Sequence, residues 1–334
     1  MSHPDYVIAG AGIIGLSLAL ELHHRGASVT VLEAGTALAQ TSSAAAGMLA
    51  VDDPANPPAL RPLAFLSASL YPAFLGRIAA LSAEQVPFQT SITYESGPDA
   101  TASLPDFLTP GDLRFEQISE HSVDPRQLAQ ALLAAVRATS ITLLEQTALT
   151  RLSMGPASVR IETTNSPIST SALIDCMGSW SPAPVSPRKG QMLAVQIPED
   201  LALDSVIRTP DVYIVPRTSG PNAGRAIIGA TIEDAGFDLT VHPLDILTLN
   251  ARAVKLIPAL ERAPFLESWS GLRPATADGL PLLGPLARQP RYILATGHFR
   301  NGILLAPATA HVLASLLANE PPGIDLAPFA PTRF

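Results

Sequence analysis

The sequence predicts an α/β protein (α+β overall) in which a Rossmann-type nucleotide-binding unit is joined to a second sheet. The first observation is a βαβ pattern at the start of the chain: an apolar strand at Tyr6–Ala9, a helix over 16–25 and a strand at 28–32. The second is a group of short β-rich runs at 192–196, 212–215 and 226–229. Together they predict two sheets in a chain of 334 residues.

The remaining elements follow from periodicity and end signals. A helix over 124–138 is indicated by Asp124 as N-cap and Pro125 at the first helical position. Apolar spacing predicts further helices over 63–81, 244–255 and 303–317. Short apolar runs predict strands at 141–145, 149–153, 159–163, 172–176 and 292–295. The nucleotide-binding unit is therefore expected to open the chain, return in its middle and close it.

Composition excludes several classes of protein. Hydrophobic residues make up 47% and charged residues 15%, which argues against an intrinsically disordered chain. A formal net charge of −8 argues against a nucleic-acid partner. Cys176 is the single cysteine, so no intramolecular disulfide can form. The apolar runs at 7–20 and 303–318 are short or interrupted, so neither predicts a membrane span. The N-terminus does not have the pattern of a signal peptide. The expected location is therefore cytoplasmic.

The segment Gly-Ala-Gly-Ile-Ile-Gly at residues 10–15 follows the first strand and opens the first helix. In a G-x-G-x-x-G turn, Gly10 permits the bend, Gly12 lets a pyrophosphate approach, and Gly15 lets helix and strand pack closely. The helix N-terminus offers amide donors to phosphate. Glu33, 18 positions after Gly15, ends the second strand and can accept hydrogen bonds from a ribose diol. The pattern predicts dinucleotide binding and leaves NAD and FAD open.

The stretch Thr-Ser-Ser-Ala-Ala-Ala-Gly-Met at residues 41–48 carries hydroxyls and small side chains. Such a stretch allows the backbone to lie close along a long cofactor. The alternative interpretation is an alanine-rich helix start capped by Ser43.

Five segments then carry a resemblance to a known family: GAGIIGLSLALELHHRGASVTVLEAG, TSSAAAGML, YIVPR, GLRPATADGLPLLGP and GHFRNGILLAPATA. They resemble the D-amino-acid-oxidase-like flavoproteins, and within that family the glycine oxidases of the thiamine pathway. The resemblance implies a glutathione-reductase-like FAD-binding domain made of 1–50, 124–183 and 270–334. It implies an antiparallel substrate domain made of 51–123 and 184–269, and a homo-oligomer.

The resemblance implies non-covalent FAD, because Cys176 does not match the cysteine that binds flavin in related sarcosine oxidases. Carried over residue by residue, it extends the cofactor site beyond the glycine turn and Glu33. The pyrophosphate would contact Ile13 and Ile14. The adenosine part of the cofactor would contact Ala34 and Leu149. The flavin side would comprise Thr41, Ser42, Ala46, Gly47, Met48, His298, Phe299, Arg300, Asn301, Gly302, Ile303 and Leu304.

For the substrate, the resemblance implies that Arg273, Arg300 and Tyr213 bind a carboxylate, to which a planar guanidinium is well matched. It implies oxidative deamination of glycine, sarcosine or a small D-amino acid by hydride transfer to flavin N5. The products would be an imine or glyoxylate, ammonia and hydrogen peroxide, with oxygen as the electron acceptor. No residue is assigned as a general acid or base. His23 and His24 are expected on a solvated helix face, and no metal site is predicted.

Two alternatives remain open from the residues. One is an FAD-dependent dehydrogenase of D-amino acids or sarcosine that uses an acceptor other than oxygen. The other is a non-catalytic flavin-binding redox module. The chain also departs from the family. The region 91–123 looks shorter than in typical glycine oxidases, and we expect it to lack a helical piece that helps cover the pocket. In addition, Ile232 stands where a methionine lines the pocket, and Asp211 replaces a histidine. These departures bear on substrate preference.

Overall fold

The computed structural model describes residues 3–98 and 100–334. Its helices are α1 Ile13–His24, α2 Thr41–Ala44, α3 Arg61–Ser82, α4 Pro125–Arg137, α5 Pro243–Leu256 and α6 Gly302–Leu317. Its strands are β1 Tyr6–Ala9, β2 Val29–Leu32, β3 Thr93–Ser96, β4 Phe115–Ile118, β5 Thr142–Leu144, β6 Leu149–Met154, β7 Val159–Thr163, β8 Ile168–Thr170, β9 Ala172–Asp175, β10 Ser186–Gln196, β11 Val206–Arg208, β12 Tyr213–Pro216, β13 Arg225–Gly229, β14 Phe265–Ala275, β15 Leu282–Leu286 and β16 Gln289–Thr296.

The first sheet has the strand order β15-β16-β9-β1-β2-β5. All its pairs are parallel except the hairpin of β15 with β16. Helices α1, α4 and α6 cover one face, and the small antiparallel sheet β6-β7-β8 covers the other. Because both faces are covered, β1 and β2 are continuously apolar rather than alternating.

The second sheet has the order β14-β10-β13-β12-β11-β3-β4 and is antiparallel except where β3 pairs with β11. On one face, Ile207, Ile214 and Ile228 pack against Leu249 and Ala253 of α5. The other face carries Met192, Val215 and Ile227 and meets Ala46 of the first unit. The predicted fold class, a Rossmann-type sheet with a second antiparallel sheet, is confirmed.

Helix α4 begins where its end signals predict. The Asp124 carboxylate accepts a hydrogen bond from the Arg126 amide at 3.0 Å, and Pro125 occupies the first helical position. Leu128, Leu132 and Val136 form its buried stripe. A local cap and a local apolar repeat thus determine this helix together.

Several strands of the structure are not predicted from the sequence. Strands β8, β11, β14 and β15 were not predicted, and β10 begins at Ser186 instead of residue 192. The extension of β10 pairs with β14, with Arg188 opposite Arg273 and Gly190 opposite Gly271. Both strands contain prolines and glycines, which locally predict the end of a strand. The pairing of the two strands with each other overrides that local signal.

The strands of the first sheet all come from 6–32, 142–175 and 282–296. This origin is consistent with the discontinuous domain division into 1–50, 124–183 and 270–334, which stays a prediction. Helix α3, from the segment assigned to the substrate domain, packs against α4 and α6 of the first unit. Within 91–98 and 100–123 there are β3, β4 and turns, and no α-helix.

One helix in the described ranges, Pro58–Ser82 with its short leading turn, is long and apolar enough to cross a membrane by length and composition. The criterion is weak for a single helix, because the core helix of a globular protein also meets it. Here Leu63, Tyr71 and Ile78 are buried, and the Tyr71 hydroxyl donates to the Ile303 carbonyl at 2.6 Å. These contacts place one face of α3 in the protein core.

Candidate active site

A cavity of about 960 Å³ runs from the turn after β1 to the inner face of the second sheet. It lies beyond the carboxyl ends of β1, β2 and β9, where parallel α/β sheets bind ligands. The volume is near the upper end for small-molecule sites, roughly 300–1,000 Å³, and suits a ligand the size of a dinucleotide together with a small substrate.

The glycine turn has the geometry that the sequence predicts. Gly10 has φ +102°, and a Cβ there would lie 2.4 Å from the Cys176 carbonyl oxygen. A Cβ on Gly15 would lie 2.0 Å from the Gly10 carbonyl oxygen, so Gly15 serves the close packing of α1 on the turn. The Ile13 amide, at the start of α1, donates to the Ser42 hydroxyl at 2.9 Å on the cavity wall.

Glu33 is held in place by backbone amides. Its Oε2 accepts a hydrogen bond from the Ala11 amide and its Oε1 from the Gly35 amide, both at 2.9 Å. The carboxylate is half-buried and lines the cavity at the end of β2. Each oxygen keeps acceptor capacity for a ribose hydroxyl, so the residue fits the predicted role while it also fixes the turn.

The small-residue stretch at 41–48 is anchored from three sides. The Thr41 hydroxyl donates to the Leu272 carbonyl at 2.6 Å, and Arg217 Nη2 donates to the Ala46 carbonyl at 2.8 Å. Gly47 has φ +88°, and a Cβ there would lie 2.1 Å from the Val123 carbonyl oxygen. Burial lowers the pKa of Arg217 to about 10, with Asp124 opposing the shift, so the guanidinium stays charged at neutral pH.

The start of α6 lies at the opposite end of the cavity. Residues 298–303 line the cavity just where the 16-residue helix begins. His298 is buried, and its Nε2 lies 3.0 Å from the Thr309 hydroxyl. Burial lowers the pKa of His298 to about 3, so the ring is neutral at physiological pH. The His298 ring therefore adds no positive charge to the cavity. The positive end of the α6 dipole lies at the same place and can stabilise a negative charge there.

Arg273 of β14 and Tyr213 of β12 each extend over a glycine of the adjacent strand, Gly190 of β10 and Gly229 of β13. A Cβ on Gly190 would lie 2.2 Å from Arg273 Nη2, and one on Gly229 would lie 2.6 Å from the Tyr213 hydroxyl. Arg273 Nη1 donates to the Thr231 carbonyl at 3.0 Å, which fixes the guanidinium plane. Burial raises the pKa of Tyr213, and Arg273 opposes the shift. The phenol therefore keeps its proton and can donate a hydrogen bond.

Arg300 is paired with Asp53, with Nη2 and Oδ1 2.9 Å apart. Both residues line the cavity. A substrate carboxylate would therefore meet one guanidinium, Arg273, that forms no salt bridge with any carboxylate in residues 3–98 and 100–334, and one, Arg300, that is partly neutralised.

The cavity wall brings together nearly every residue that the sequence analysis singled out. Arg273, Arg300 and Tyr213 line it together with Gly10, Gly12, Ile13, Ile14, Glu33, Ala34, Thr41, Ser42, Ala46, Gly47, Met48, Leu149, His298, Phe299, Asn301, Gly302 and Ile303. Gly15 and Leu304 do not lie on the wall. Leu304 is buried in the core, where its carbonyl accepts from the Ser67 hydroxyl at 2.6 Å.

Among the wall residues that were not predicted from the sequence, five bear directly on the shape and charge of the cavity. Gly190 and Gly229 make room for Arg273 and Tyr213, and glycines inside apolar strands are the signal that could have found them. Asp53, Glu95 and Arg208 are charged residues of the wall. Arg208 ends the β-branched run Val206-Ile207, an unusual place for a charge in a buried strand.

Cys176 is buried and also borders the cavity. Burial raises the pKa of its thiol well above the usual range, with Asp175 adding to the shift, so the reactive thiolate is disfavoured. In the described part of the chain, no group of three or more His, Cys, Asp or Glu side chains is arranged to hold a metal ion.

The glycine turn, the acid after β2 and the helix start at residue 302 together define a dinucleotide-binding site that faces the second large sheet. Residues 5–316 match the family described as FAD dependent oxidoreductase, and the chain belongs to that family. The predicted membership of the D-amino-acid-oxidase-like flavoproteins is confirmed.

Within the family the chain is similar to glycine oxidases. It is 34% identical to the bifunctional protein ThiO/ThiG of Trichormus variabilis over 364 positions, covering 99% of this chain and 55% of the relative. It is 31% identical to glycine oxidase of Geobacillus kaustophilus over 368 positions, covering 98% and 97%. The crystal structure of glycine oxidase from Geobacillus kaustophilus matches with a TM-score of 0.90 at 29% identity and covers 100% of both chains.

The chain thus spans about half the length of the bifunctional relative and nearly the whole of the glycine oxidase. The alignment of 368 positions is longer than this chain of 334 residues, so that relative carries segments that this chain lacks.

Proposed function

We propose that the protein oxidatively deaminates glycine or another small amino acid, such as sarcosine or a small D-amino acid, with FAD as cofactor. The observation that carries the proposal is Arg273 and Tyr213 meeting over Gly190 and Gly229 in the cavity that also holds the nucleotide turn. For glycine, the balanced reaction consumes oxygen and water and yields glyoxylate, ammonia and hydrogen peroxide.

In this proposal, bound FAD would supply hydride-accepting chemistry with oxygen as the final acceptor. The amides at the start of α1 would hold its pyrophosphate, and Glu33 would hold the adenosine ribose. The stretch 41–48 and the start of α6 would flank the flavin. Arg273 binds the substrate carboxylate through two parallel hydrogen bonds, Tyr213 donates a third, and together they orient the substrate Cα.

The relatives support the finer assignments. The similarity to glycine oxidase and to the bifunctional protein ThiO/ThiG supports glycine as the first substrate to test, and a role in supplying thiazole synthesis for thiamine. The same proposal includes non-covalent binding of FAD, a cytoplasmic location and a homo-oligomeric assembly.

The test is anaerobic mixing of the purified, yellow protein with glycine, sarcosine, D-alanine and D-proline, followed by absorbance of the flavin. We expect glycine or one of its small relatives to bleach the flavin, and oxygen to restore the colour with one hydrogen peroxide per turnover. Bleaching without reoxidation by oxygen would favour the dehydrogenase alternative. A flavin that none of the four amines bleaches would overturn the proposal.

A further inference from the structure

A row of paired residues extends the cavity beyond the proposed carboxylate site. Across the second sheet, Glu95 of β3 faces Arg208 of β11, and Arg208 faces Tyr213 of β12. Directly paired residues present their side chains on the same face of a sheet. All three line the cavity. With strands about 4.8 Å apart, the backbone of Glu95 lies about 10 Å from that of Tyr213.

This far end carries an excess of one carboxylate. Arg208 donates through Nε to Glu95 and through Nη1 to Glu120 Oε2, the latter at 3.0 Å. Arg300 pairs with Asp53. Three carboxylates therefore face two guanidiniums. Glu95 and Arg208 are each only 4% exposed, so solvent screens these charges weakly.

Two carboxylate oxygens of this group remain free on the cavity side. Glu95 engages Arg208 with Oε2, and Asp53 engages Arg300 and the Ala55 amide with Oδ1. Glu95 Oε1 and Asp53 Oδ2 accept no hydrogen bond from the residues that the structure describes, and neither is among the fully buried, unpartnered side-chain atoms. Both oxygens therefore border open space.

With three carboxylates to two guanidiniums, the composition of this group favours a cation over an anion. Burial raises the pKa of Glu95 to about 7, Arg208 opposes the shift, and Asp53 and Glu120 add to it. A cation at Oε1 offsets the repulsion among these carboxylates, whereas an anion adds to it.

We propose that Glu95 and Asp53 bind an ammonium group at the far end of a substrate side chain. The preferred substrates are then amino acids that carry a second amine, with their carboxylate on Arg273 and Tyr213. The proposal rests on the proposed function for the carboxylate end of the cavity.

The test compares amino acids that differ in the terminal group alone. Anaerobic flavin reduction at pH 8.5 is measured with D-lysine against D-norleucine and with D-ornithine against D-norvaline, with glycine as reference. We expect half-saturating concentrations about tenfold lower for the diamino acids, since a hydrogen bond between two charged groups is among the stronger single contacts. The advantage should shrink as the pH falls through 7, because Glu95 then gains a proton and loses its charge.

The Glu95→Gln variant should bring the ratio between each diamino acid and its neutral partner close to one. Glu116→Gln is the matched control, because Glu116 pairs directly with Glu95 in β4 but is exposed and lies off the cavity wall. It should keep the ratio. Should Glu95→Gln fail to fold, the pH dependence of the wild-type ratio and flavin difference spectra on ligand binding provide the same comparison.

If glycine reduces the flavin and the diamino acids show no advantage, the distal ammonium site is wrong and the proposed function stands. An advantage that persists in Glu95→Gln likewise removes Glu95 from that role. If no amino acid reduces the flavin, both proposals fail.

Discussion

The Arg273 side chain is held in place by the protein itself. Gly190 provides the space for its guanidinium, and the Thr231 carbonyl holds one of its nitrogens at 3.0 Å. Little side-chain freedom is left to lose on binding, which favours affinity. The position of the guanidinium thus depends on a glycine of the neighbouring strand, and substitution of either residue should affect the proposed carboxylate contact.

Arg273→Ala is expected to raise the KM for a small amino acid by about 10–100-fold while FAD stays bound, because a charged pair of hydrogen bonds is lost. Steady-state kinetics with the absorbance spectrum of the bound flavin measure both quantities. Arg188→Ala is the control, since Arg188 lies opposite Arg273 in β10 and pairs with Asp234 at the surface. An unchanged KM in Arg273→Ala would remove Arg273 from carboxylate binding.

His298 links the cavity wall to acid stability. Its pKa is about 3 in the folded protein against an ordinary value of 6.5, so the unfolded chain binds the extra proton between these values. Stability is therefore lost as the pH falls below about 6.5, and the loss from this group reaches about 3 kcal/mol near pH 4.

We expect His298→Gln to flatten the fall in unfolding free energy between pH 7 and pH 4, measured by urea titration at several pH values. The exposed His24 at the end of α1 supplies the control, and His24→Gln should leave the slope unchanged. An identical slope in wild type and His298→Gln would contradict a buried, neutral imidazole.

At the scale of elements, the start of α4 joins a helix cap to a buried ion pair. Asp124 Oδ1 caps the helix, Oδ2 accepts from Asn222 at 2.7 Å, and Arg217 lies 3.8 Å away. Arg217 in turn holds the Ala46 carbonyl on the cavity wall. The N-terminus of one helix therefore supports the geometry of the predicted flavin stretch.

Asp124→Ala should cost about 3–5 kcal/mol of unfolding free energy, because it leaves a buried guanidinium without its counter-charge. Asp124→Asn keeps the helix cap and should recover about 1 kcal/mol of that loss. Urea unfolding of the two variants measures the difference. A loss of only about 1 kcal/mol in Asp124→Ala would show that the pair with Arg217 contributes nothing.

At the scale of the whole molecule, one carbonyl joins the two sheets. The Leu272 carbonyl of β14 accepts from Thr41 in α2 at 2.6 Å and from Ser179, just after β9, at 3.1 Å. Leu272 and Ser179 are buried, so this contact lies inside the interface between the sheets. The cavity walls depend on the same interface.

Thr41→Val and Ser179→Ala should each cost less than about 1 kcal/mol, because the other hydroxyl still satisfies the carbonyl. The double variant removes both donors and should cost about 1–3 kcal/mol more than the sum of the single variants. A double-mutant cycle by urea unfolding tests this. Strict additivity would mean that the two hydroxyls act independently.

The sequence by itself determined the features that depend on near neighbours. The glycine turn at 10–15, the acid after β2 and the cap of α4 are each specified by residues close together in the chain. The family motifs added Arg273, Tyr213 and the start of α6 as candidate site residues, which the cavity brings together. The tertiary structure alone decided the rest. Strand β14 exists because β10 pairs with it, and Glu95 meets Arg208 across 113 positions of sequence. Local periodicity carries no information about such pairings, because strand order and register, set by burial of the whole sheet, bring these side chains together.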